Sequence, residues 1–256
     1  MIKNPIGFAT FVRREVLRFF VVFSQTILPP IASSTLYIFI FGFSVGRSLN
    51  LEMGGVTYIQ FIVPGLVMMH LIDGSYANTS SSLFMSRWHN LIQDFLLSPL
   101  TYFEMVLGLM IGGMARGMLV ATGVYGVSLF FTQFYPHNIF LVIFFYFTVT
   151  MIFSCVGMIV ALWAEGFEKL SLWSSFVITP LIYFGGVFHS VKMLPAPLQF
   201  LAYLNPVFYF VGGMRYALLG ISDVDVRIAM GVALFMAATL FVIVERLFKA
   251  GYKLRT

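Results

Sequence analysis

Six runs of mostly apolar residues, each long enough to cross a lipid bilayer, dominate this sequence. A hydrocarbon core about 30 Å thick requires roughly 20 apolar residues in an α-helix. The core offers no water to unpaired backbone groups and the alternation of a barrel strand is absent, so each run is predicted to be helical. The sequence thus predicts an all-α, polytopic membrane protein with one domain over residues 1–256. The six predicted spans lie near 24–46, 58–82, 104–131, 138–162, 170–189 and 229–248.

The charged residues are few and lie mostly between these runs. They make up only 10% of the chain, against about 25% in soluble domains. The net charge of +5 is therefore interpreted as a signal of membrane topology and not as a nucleic-acid surface.

Lysine and arginine are unequally divided between the two sides of the predicted membrane. If both termini lie on one side, that side carries ten of these residues and the other side carries four. The excess marks the cytoplasmic side, so both termini are predicted to be cytoplasmic. The ten are Lys3, Arg13, Arg14, Arg18, Arg87, Lys169, Arg246, Lys249, Lys253 and Arg255, and the four are Arg47, Lys192, Arg215 and Arg227.

The N-terminal residues 7–23 are typical of an amphipathic helix that lies along the membrane interface. Apolar residues recur at helical spacing, while Arg13, Arg14 and Arg18 lie mostly on another arc. Glu15 interrupts the apolar face unless it pairs with Arg18. The alternative is that these residues simply begin the first span with a positive flank.

A second amphipathic helix is predicted over residues 86–99, between the second and third spans. Pro99 ends it, and Thr101 and Glu104 then form a capping box that starts the third span. The resulting rigid connection is either a docking element for a partner or a helix that rests on lipid. Its apolar stripe comprises Trp88, Leu91, Ile92, Phe95 and Leu96, and its opposite face comprises His89, Asn90, Gln93 and Asp94.

Residues 188–226 are apolar but too interrupted by Pro195, Pro197, Pro206 and the Gly212-Gly213 pair to form a span. They are predicted to form short helices that dip into the outer interface.

Two charged residues fall deep inside predicted spans, away from the span ends. Asp73 and Arg116 lie at comparable depths, because each is roughly nine to twelve residues from the connection that joins their helices. A charge at this depth is costly and is expected to face protein or water. Two interpretations stay open: the two residues pair as a structural clamp, or they line a substrate path.

Other motifs indicate packing and not chemistry. Small residues repeat at Gly108-x-x-x-Gly112, Gly113-x-x-x-Gly117 and Gly42-x-x-x-Gly46, a spacing that lets membrane helices approach closely. The four histidines have no metal-ligand spacing, and the chain has no P-loop, no nucleophile elbow and no paired carboxylates in a predicted pocket. No catalytic residue, metal or cofactor is therefore predicted, and the chain is not expected to be an enzyme.

Two motifs resemble those of the type-2 ABC transport permeases. The run from Arg87 to Gly113 resembles that family's cytoplasmic loop, and the run from Gly186 to Tyr216 resembles its outer segment, which ends in an Asn205-Pro206 turn and Arg215. Six spans and cytoplasmic termini fit the same pattern, so the resemblance covers nearly the whole chain.

This resemblance implies a permease subunit of a bacterial inner-membrane exporter. It implies that two permease copies, a homodimer or a heterodimer with the homodimer favoured, work with two cytoplasmic ATPase subunits that bind ATP and Mg²⁺. It implies that helices 7–23 and 86–99 contact the ATPase, the latter as the coupling helix. By position the contacts are Arg87, Trp88, His89, Leu91, Ile92 and Asp94, while Glu104 anchors the third span. The expected cargo is an amphipathic drug, a lipid or a lipid-linked glycan.

Two other classes of protein compete with this interpretation. A stand-alone, ion-coupled secondary transporter is favoured by Asp73 and Arg116, because buried ionisable groups often serve proton relays. An integral lipid enzyme would need clustered His, Asp or Glu at one membrane face, and the sequence contains no such cluster.

Overall fold

The computed structural model describes residues 3–41 and 55–254. These residues form helices joined by turns, with no β-strand among them, which confirms the all-α class. Two short stretches depart from α geometry: Ser174–Ile178 is a π-helix and Val191–Met193 is a 3₁₀ turn. The α-helices are α1 (Pro5–Val21), α2 (Phe23–Thr26), α3 (Leu28–Ile40), α4 (Tyr58–Trp88), α5 (Ile92–Leu97), α6 (Tyr102–Ser128), α7 (Ile139–Trp163), α8 (Phe167–Trp173), α9 (Thr179–Phe184), α10 (Ala196–Leu204), α11 (Pro206–Leu219) and α12 (Val226–Lys249).

Three of these helices are long and apolar enough to cross a membrane. They are α6, α7 and α12, with 27, 25 and 24 residues and mean hydropathies of 1.6, 2.5 and 2.3. Residues 5–40 form two helical segments joined by a sharp bend, and they would supply a fourth span if both segments together cross the membrane. The 31 residues of α4 are long enough, but a run of serine, threonine and asparagine in its second half lowers its hydropathy.

The first predicted span begins after a sharp bend. The axis turns by 77° between Pro5–Val21 and the helices that run from Phe23 to Ile40. Pro29 and Pro30 lie in the first turn of α3, where a missing backbone N–H costs nothing. The predicted end of this span and the Gly42-x-x-x-Gly46 motif lie outside the described residues.

The fifth predicted span, 170–189, is a broken helix that runs from Phe167 to Phe184. Its middle widens into the π-helix, where the Thr179 hydroxyl donates to the Ser174 carbonyl at 3.0 Å. Pro180 follows immediately, and a proline removes a donor from the helical ladder. The helix ends five residues earlier than predicted because Gly185 and Gly186 turn the chain, Gly186 with a φ of 80°.

The prediction of one helix over residues 86–99 is wrong. Residues 86–88 continue α4, the chain then turns, and α5 contains only six residues. Asn90 lies at the turn with a φ of 59°, in the left-handed region that asparagine tolerates better than most residues. The apolar spacing on either side of Asn90 is helical, which is why the sequence pattern missed the break.

Small residues bring α4, α6 and α7 into backbone contact at the centre of the bundle. A methyl group added at Gly74 would lie 2.8 Å from Cα of Gly117, and one at Gly157 would lie 2.8 Å from the Tyr76 carbonyl oxygen. A methyl group at Gly113 would overlap side chains of both α4 and α7. The packing role predicted for the Gly113-x-x-x-Gly117 motif is confirmed.

We therefore predict that Gly74→Ala destabilises the protein. The added methyl has no room beside the α6 backbone, and overpacking of this kind costs about 1–3 kcal/mol. Gly126→Ala in α6 is the matched control, because nothing lies within 4 Å of the added methyl. Thermal unfolding in detergent should show a lower midpoint for Gly74→Ala than for Gly126→Ala, and equal midpoints would refute the close contact.

Candidate functional site

Several helix ends meet at the end of the bundle that holds both chain termini, here called the termini end. They are the starts of α1 and α6 and the ends of α4, α7 and α12, together with the hairpin connection, residues 89–101. Helix ends carry unpaired backbone donors or acceptors that need partners. Charged side chains supply those partners here.

Glu104 caps two helices at once. Its Oε2 accepts hydrogen bonds from the Thr101 backbone N–H at 2.6 Å and hydroxyl at 2.8 Å, which confirms the predicted capping box of α6. Its Oε1 accepts from the backbone N–H groups of Lys3 at 2.7 Å and Asn4 at 3.1 Å, just before α1. The sequence predicted the anchoring of α6 but not the contact with α1, whose residues lie about a hundred positions away.

Arg87 caps the end of α7. Its Nη1 donates to the backbone carbonyls of Ala161, Leu162 and Ala164, the last two at 3.2 Å. These carbonyls lack partners within their own helix, and a cation at a helix C-terminus is favourable. The structure therefore directs this predicted ATPase contact into the bundle, where it joins the end of α4 to the end of α7.

Aromatic rings pack the hairpin connection against α1 and the adjoining end of α4 against α8. Phe95 contacts Phe11 of α1 with ring centroids 5.1 Å apart, and the Arg14 guanidinium lies 4.6 Å from the Phe95 ring centre. Trp88, at the end of α4, lies 5.6 Å from Phe167 of α8. The connection is thereby fixed to α1, and the helix end that leads into it is fixed to α8.

The predicted contact residues of the connection divide into two groups. Trp88, His89, Leu91 and Asp94 are exposed, with Trp88 at 54% and Leu91 at 43%. Ile92 is only 5% exposed and packs in the core with Leu83 and Met105, so the structure corrects its predicted surface position. Leu97, which is not among the predicted ATPase contacts, is 85% exposed. The side chain of Leu96 lies outside the described residues.

The N-terminal helix α1 is packed against the bundle through a buried carboxylate. Glu15 is fully buried and its Oε2 accepts a hydrogen bond from the Ser82 hydroxyl at 2.6 Å. Arg18 Nε lies 3.7 Å from the same oxygen, and Arg18 Nη2 donates to the Asn78 carbonyl at 2.8 Å. The predicted pairing of Glu15 with Arg18 is present, whereas Ser82 and Asn78 could not be found from local sequence. Arg13 is exposed.

The chain after α12 folds back on the end of α7. Lys253 Nζ lies 3.1 Å from Glu165 Oε1, and Lys169 pairs with the other carboxylate oxygen. Lys169 first, and then Lys253, lower the pKa of Glu165 to about 2. The contribution of these pairs to stability is present above the ordinary pKa of 4.5 and is lost as the pH falls towards 2. Exposure to solvent and salt keeps that contribution small.

Asp73 and Arg116 lie close enough to interact electrostatically, but they form no ion pair in the structure. Arg116 also interacts electrostatically with Arg18 on α1. Both side chains are partly exposed.

Asn205 and Arg215, which the resemblance marked in the predicted outer segment 188–226, join that segment to the bundle. The Asn205 amide donates to the Leu181 carbonyl of α9 at 2.6 Å and its oxygen caps α11, whose first residue is Pro206. Arg215 is only 2% exposed and donates to the Gly186 carbonyl at 2.8 Å. Its guanidinium stacks 3.8 Å from the ring centre of Phe61. These contacts are structural.

No group of three His, Cys, Asp or Glu side chains in residues 3–41 and 55–254 is arranged to hold a metal ion. The single cysteine, Cys155, is buried.

The fold defines an all-helical membrane protein whose charged clusters fasten helix ends to one another. The family model described as "ABC-2 type transporter" matches residues 7–219. The chain therefore belongs to the ABC-2 type transporter family.

Two groups of relatives illustrate the range of similarity. The chain is 38% identical over 243 residues to the "Inner membrane transport permease YadH" of Escherichia coli (strain K12), covering 95% of this chain and 94% of the relative. It is 27% identical over 233 residues to "Nodulation protein J" of Neorhizobium galegae, covering 90% and 88%. The protein of that name from Rhizobium meliloti (strain 1021) is 26% identical over 223 residues, covering 86% and 84%.

We predict that Arg87→Ala loosens the end of α7. Three carbonyls lose a charged donor, and hydrogen bonds to charged groups contribute about 1.5–3 kcal/mol. Arg13→Ala is the control, because Arg13 is exposed and makes none of these contacts. Hydrogen exchange of residues 158–166 in nanodiscs should accelerate in Arg87→Ala and not in Arg13→Ala; unchanged exchange in both would show that the cap contributes nothing.

Proposed function

We propose that this chain is the membrane-spanning permease subunit of an ATP-driven exporter in the bacterial inner membrane. A separate cytoplasmic ATPase supplies the energy and binds ATP and Mg²⁺. The observation that carries the proposal is the hairpin connection: it presents exposed apolar side chains, yet Phe95 fixes it to α1 and the buried Ile92 packs in the core with residues of α4 and α6. Membership of the ABC-2 type transporter family and the likeness to an inner-membrane transport permease support it.

The proposed ATPase contact combines the connection with the exposed side of α1. Leu91 and Leu97 supply apolar anchors, and Arg13, which is exposed, supplies positive charge. Apolar anchors surrounded by polar residues are the usual form of a protein interface. Trp88, His89, Asp94 and Arg14 complete this proposed surface.

The proposed mechanism follows from the way the connection is held. Closure of the ATPase dimer on nucleotide binding displaces the connection, and α4 and α6 tilt because the joints on either side are short. A path between two permease copies then opens outwards. ATP acts only by changing the relative populations of inward-open and outward-open states, so the ATPase must bind the connection differently in the two states.

The topology belongs to the same proposal. Six spans with both termini in the cytoplasm place the termini end, and hence the connection, on the side of the ATPase. The sharp bend of 77° before the first span is what an interfacial helix needs in order to lie along the membrane before the chain enters it. The distribution of lysine and arginine supports this orientation.

A second permease copy completes the proposed path. The broken helix from Phe167 to Phe184 exposes large apolar side chains along one side, among them Phe176 at 74% and Tyr183 at 40%. In a homodimer with two ATPase subunits, this helix and α3 would face the path or the other copy.

An amphipathic or lipid-like cargo fits the character of this side. A cavity of about 360 Å³ lies between the broken helix and α10, lined by Phe176, Val177, Pro180, Leu181, Phe184, Leu201 and Asn205. Its one polar side chain is an amide, which favours a cargo with a large apolar part and little charge. Asp73 and Arg116, which are not paired with each other, are proposed to face this path.

An ion-coupled transporter remains the second candidate because of Asp73 and Arg116. A protein of that class would move its cargo with no ATPase present. The family assignment favours the permease.

We predict that the double variant Leu91→Asp/Leu97→Asp loses the ATPase. Charges placed at two apolar anchors should weaken the complex at least about 30-fold, which corresponds to the loss of about 2 kcal/mol or more that is usual for an interface hot spot. The measurement is co-purification with the cognate ABC ATPase subunit, co-expressed with this chain. Tyr135→Asp is the control, since Tyr135 is 90% exposed in the loop before α7, outside the connection. Undiminished co-purification of the double variant would exclude this surface as the ATPase contact.

A further inference from the structure

The Glu104 carboxylate joins two helix starts that are far apart in sequence. One oxygen accepts hydrogen bonds from Thr101, and the other accepts from the backbone N–H groups of Lys3 and Asn4. The side chain is fully buried, so water does not compete for these hydrogen bonds. Each oxygen is thus committed to a different helix.

A second capping box in the same chain shows what one helix alone requires. At the start of α4, Gln60 Oε1 accepts from the Thr57 backbone N–H at 3.0 Å, and Thr57 accepts from the Gln60 N–H. This box has the same form as that of Thr101 and Glu104, and a neutral amide suffices. Within residues 3–41 and 55–254, Gln60 bonds only to its own helix start. The carboxylate at position 104 is therefore needed for α1, because an amide has only one accepting oxygen.

Glu104 also lies at the end of a continuous contact between α1 and α6. Residues 104, 108 and 112 fall on one face of α6, since each is four positions from the next. Phe11 of α1 packs against Gly108, and Glu15 of α1 packs against Gly112. At the far end of this stripe Glu15 is held by Ser82 of α4. Among these contacts, Glu104 is the one that binds the residues immediately before α1.

We propose that Glu104 is a positioning residue for energy coupling: it locks the start of α1 to the start of α6, so that α1 and the hairpin connection move as one unit. This inference rests on the proposed function, in which both elements contact the ATPase. Without the lock, the ATPase would still bind, but part of its displacement would be taken up by movement of α1 relative to α6.

The informative substitution is Glu104→Gln. The amide retains an oxygen for the capping box of α6, as Gln60 does for α4, but it presents N–H groups to the donors of Lys3 and Asn4. Gln60→Ala is the matched control, because it removes a capping box without releasing a second helix. Lys3→Pro is a second test variant: it removes one of the two donors on the α1 side and leaves Glu104 in place.

The mobility of α1 is measured first, on the permease alone in nanodiscs. A spin label on Ala9→Cys reports on the exposed side of α1, and the native Cys155 is fully buried. The label should become more mobile with Glu104→Gln and with Lys3→Pro, but not with Gln60→Ala. An unchanged spectrum in both test variants would overturn the lock.

Coupling is measured second, in the complex with the co-expressed cognate ABC ATPase subunit. We expect Glu104→Gln to bind the ATPase as the unmodified permease does, but to reduce permease-dependent stimulation of ATP hydrolysis at least about fivefold. Gln60→Ala should keep the stimulation. Full stimulation in a variant whose α1 is mobile would overturn the coupling role. If the unmodified permease bound no ATPase, the proposed function would fail and the coupling role with it, while the spin-label result would still decide whether the lock exists.

Discussion

The backbone contact between α4, α6 and α7 fixes the position of everything else in this fold. Gly74 meets Gly117 across the α4–α6 interface, and Gly157 of α7 meets the α4 backbone near Tyr76. Inside a bilayer there is little hydrophobic gain from joining helices, so close van der Waals packing of small residues has to hold them together. These contacts fix the position of each of the three helices along its axis relative to the other two, and they thereby fix where the helix ends lie.

This placement of the helices brings their ends, at the termini end, within reach of a few charged side chains. Arg87 at the end of α4 reaches the last carbonyls of α7, and Glu104 at the start of α6 reaches the donors before α1. Each charge satisfies backbone groups that neither water nor lipid would satisfy as well. The hairpin connection lies between these two side chains, so both of its joints are braced. A connection braced in this way transmits a displacement to the bundle instead of absorbing it.

Local sequence patterns predicted most of this architecture but not its long-range contacts. The apolar runs gave the long helices, the Thr101 and Glu104 spacing gave the start of α6, and the glycine spacing gave the packing face. The break at Asn90 was missed because the apolar residues on both sides keep helical spacing. The long-range partners of Arg87, Glu104 and Glu15 were missed because they lie in other parts of the chain, 67 to 101 positions away. Such pairings follow from tertiary packing, which a local pattern does not contain.

The central claim is that α1 and the hairpin connection form one rigid unit that receives the motion of an ATPase. The most direct measurement is the distance between spin labels on Thr10 and Gln93, both exposed, in the assembled complex without nucleotide and after trapping with ATP and vanadate. The account predicts that the distance distribution within one subunit is the same in both states. A shift or broadening of that distribution on trapping would contradict it.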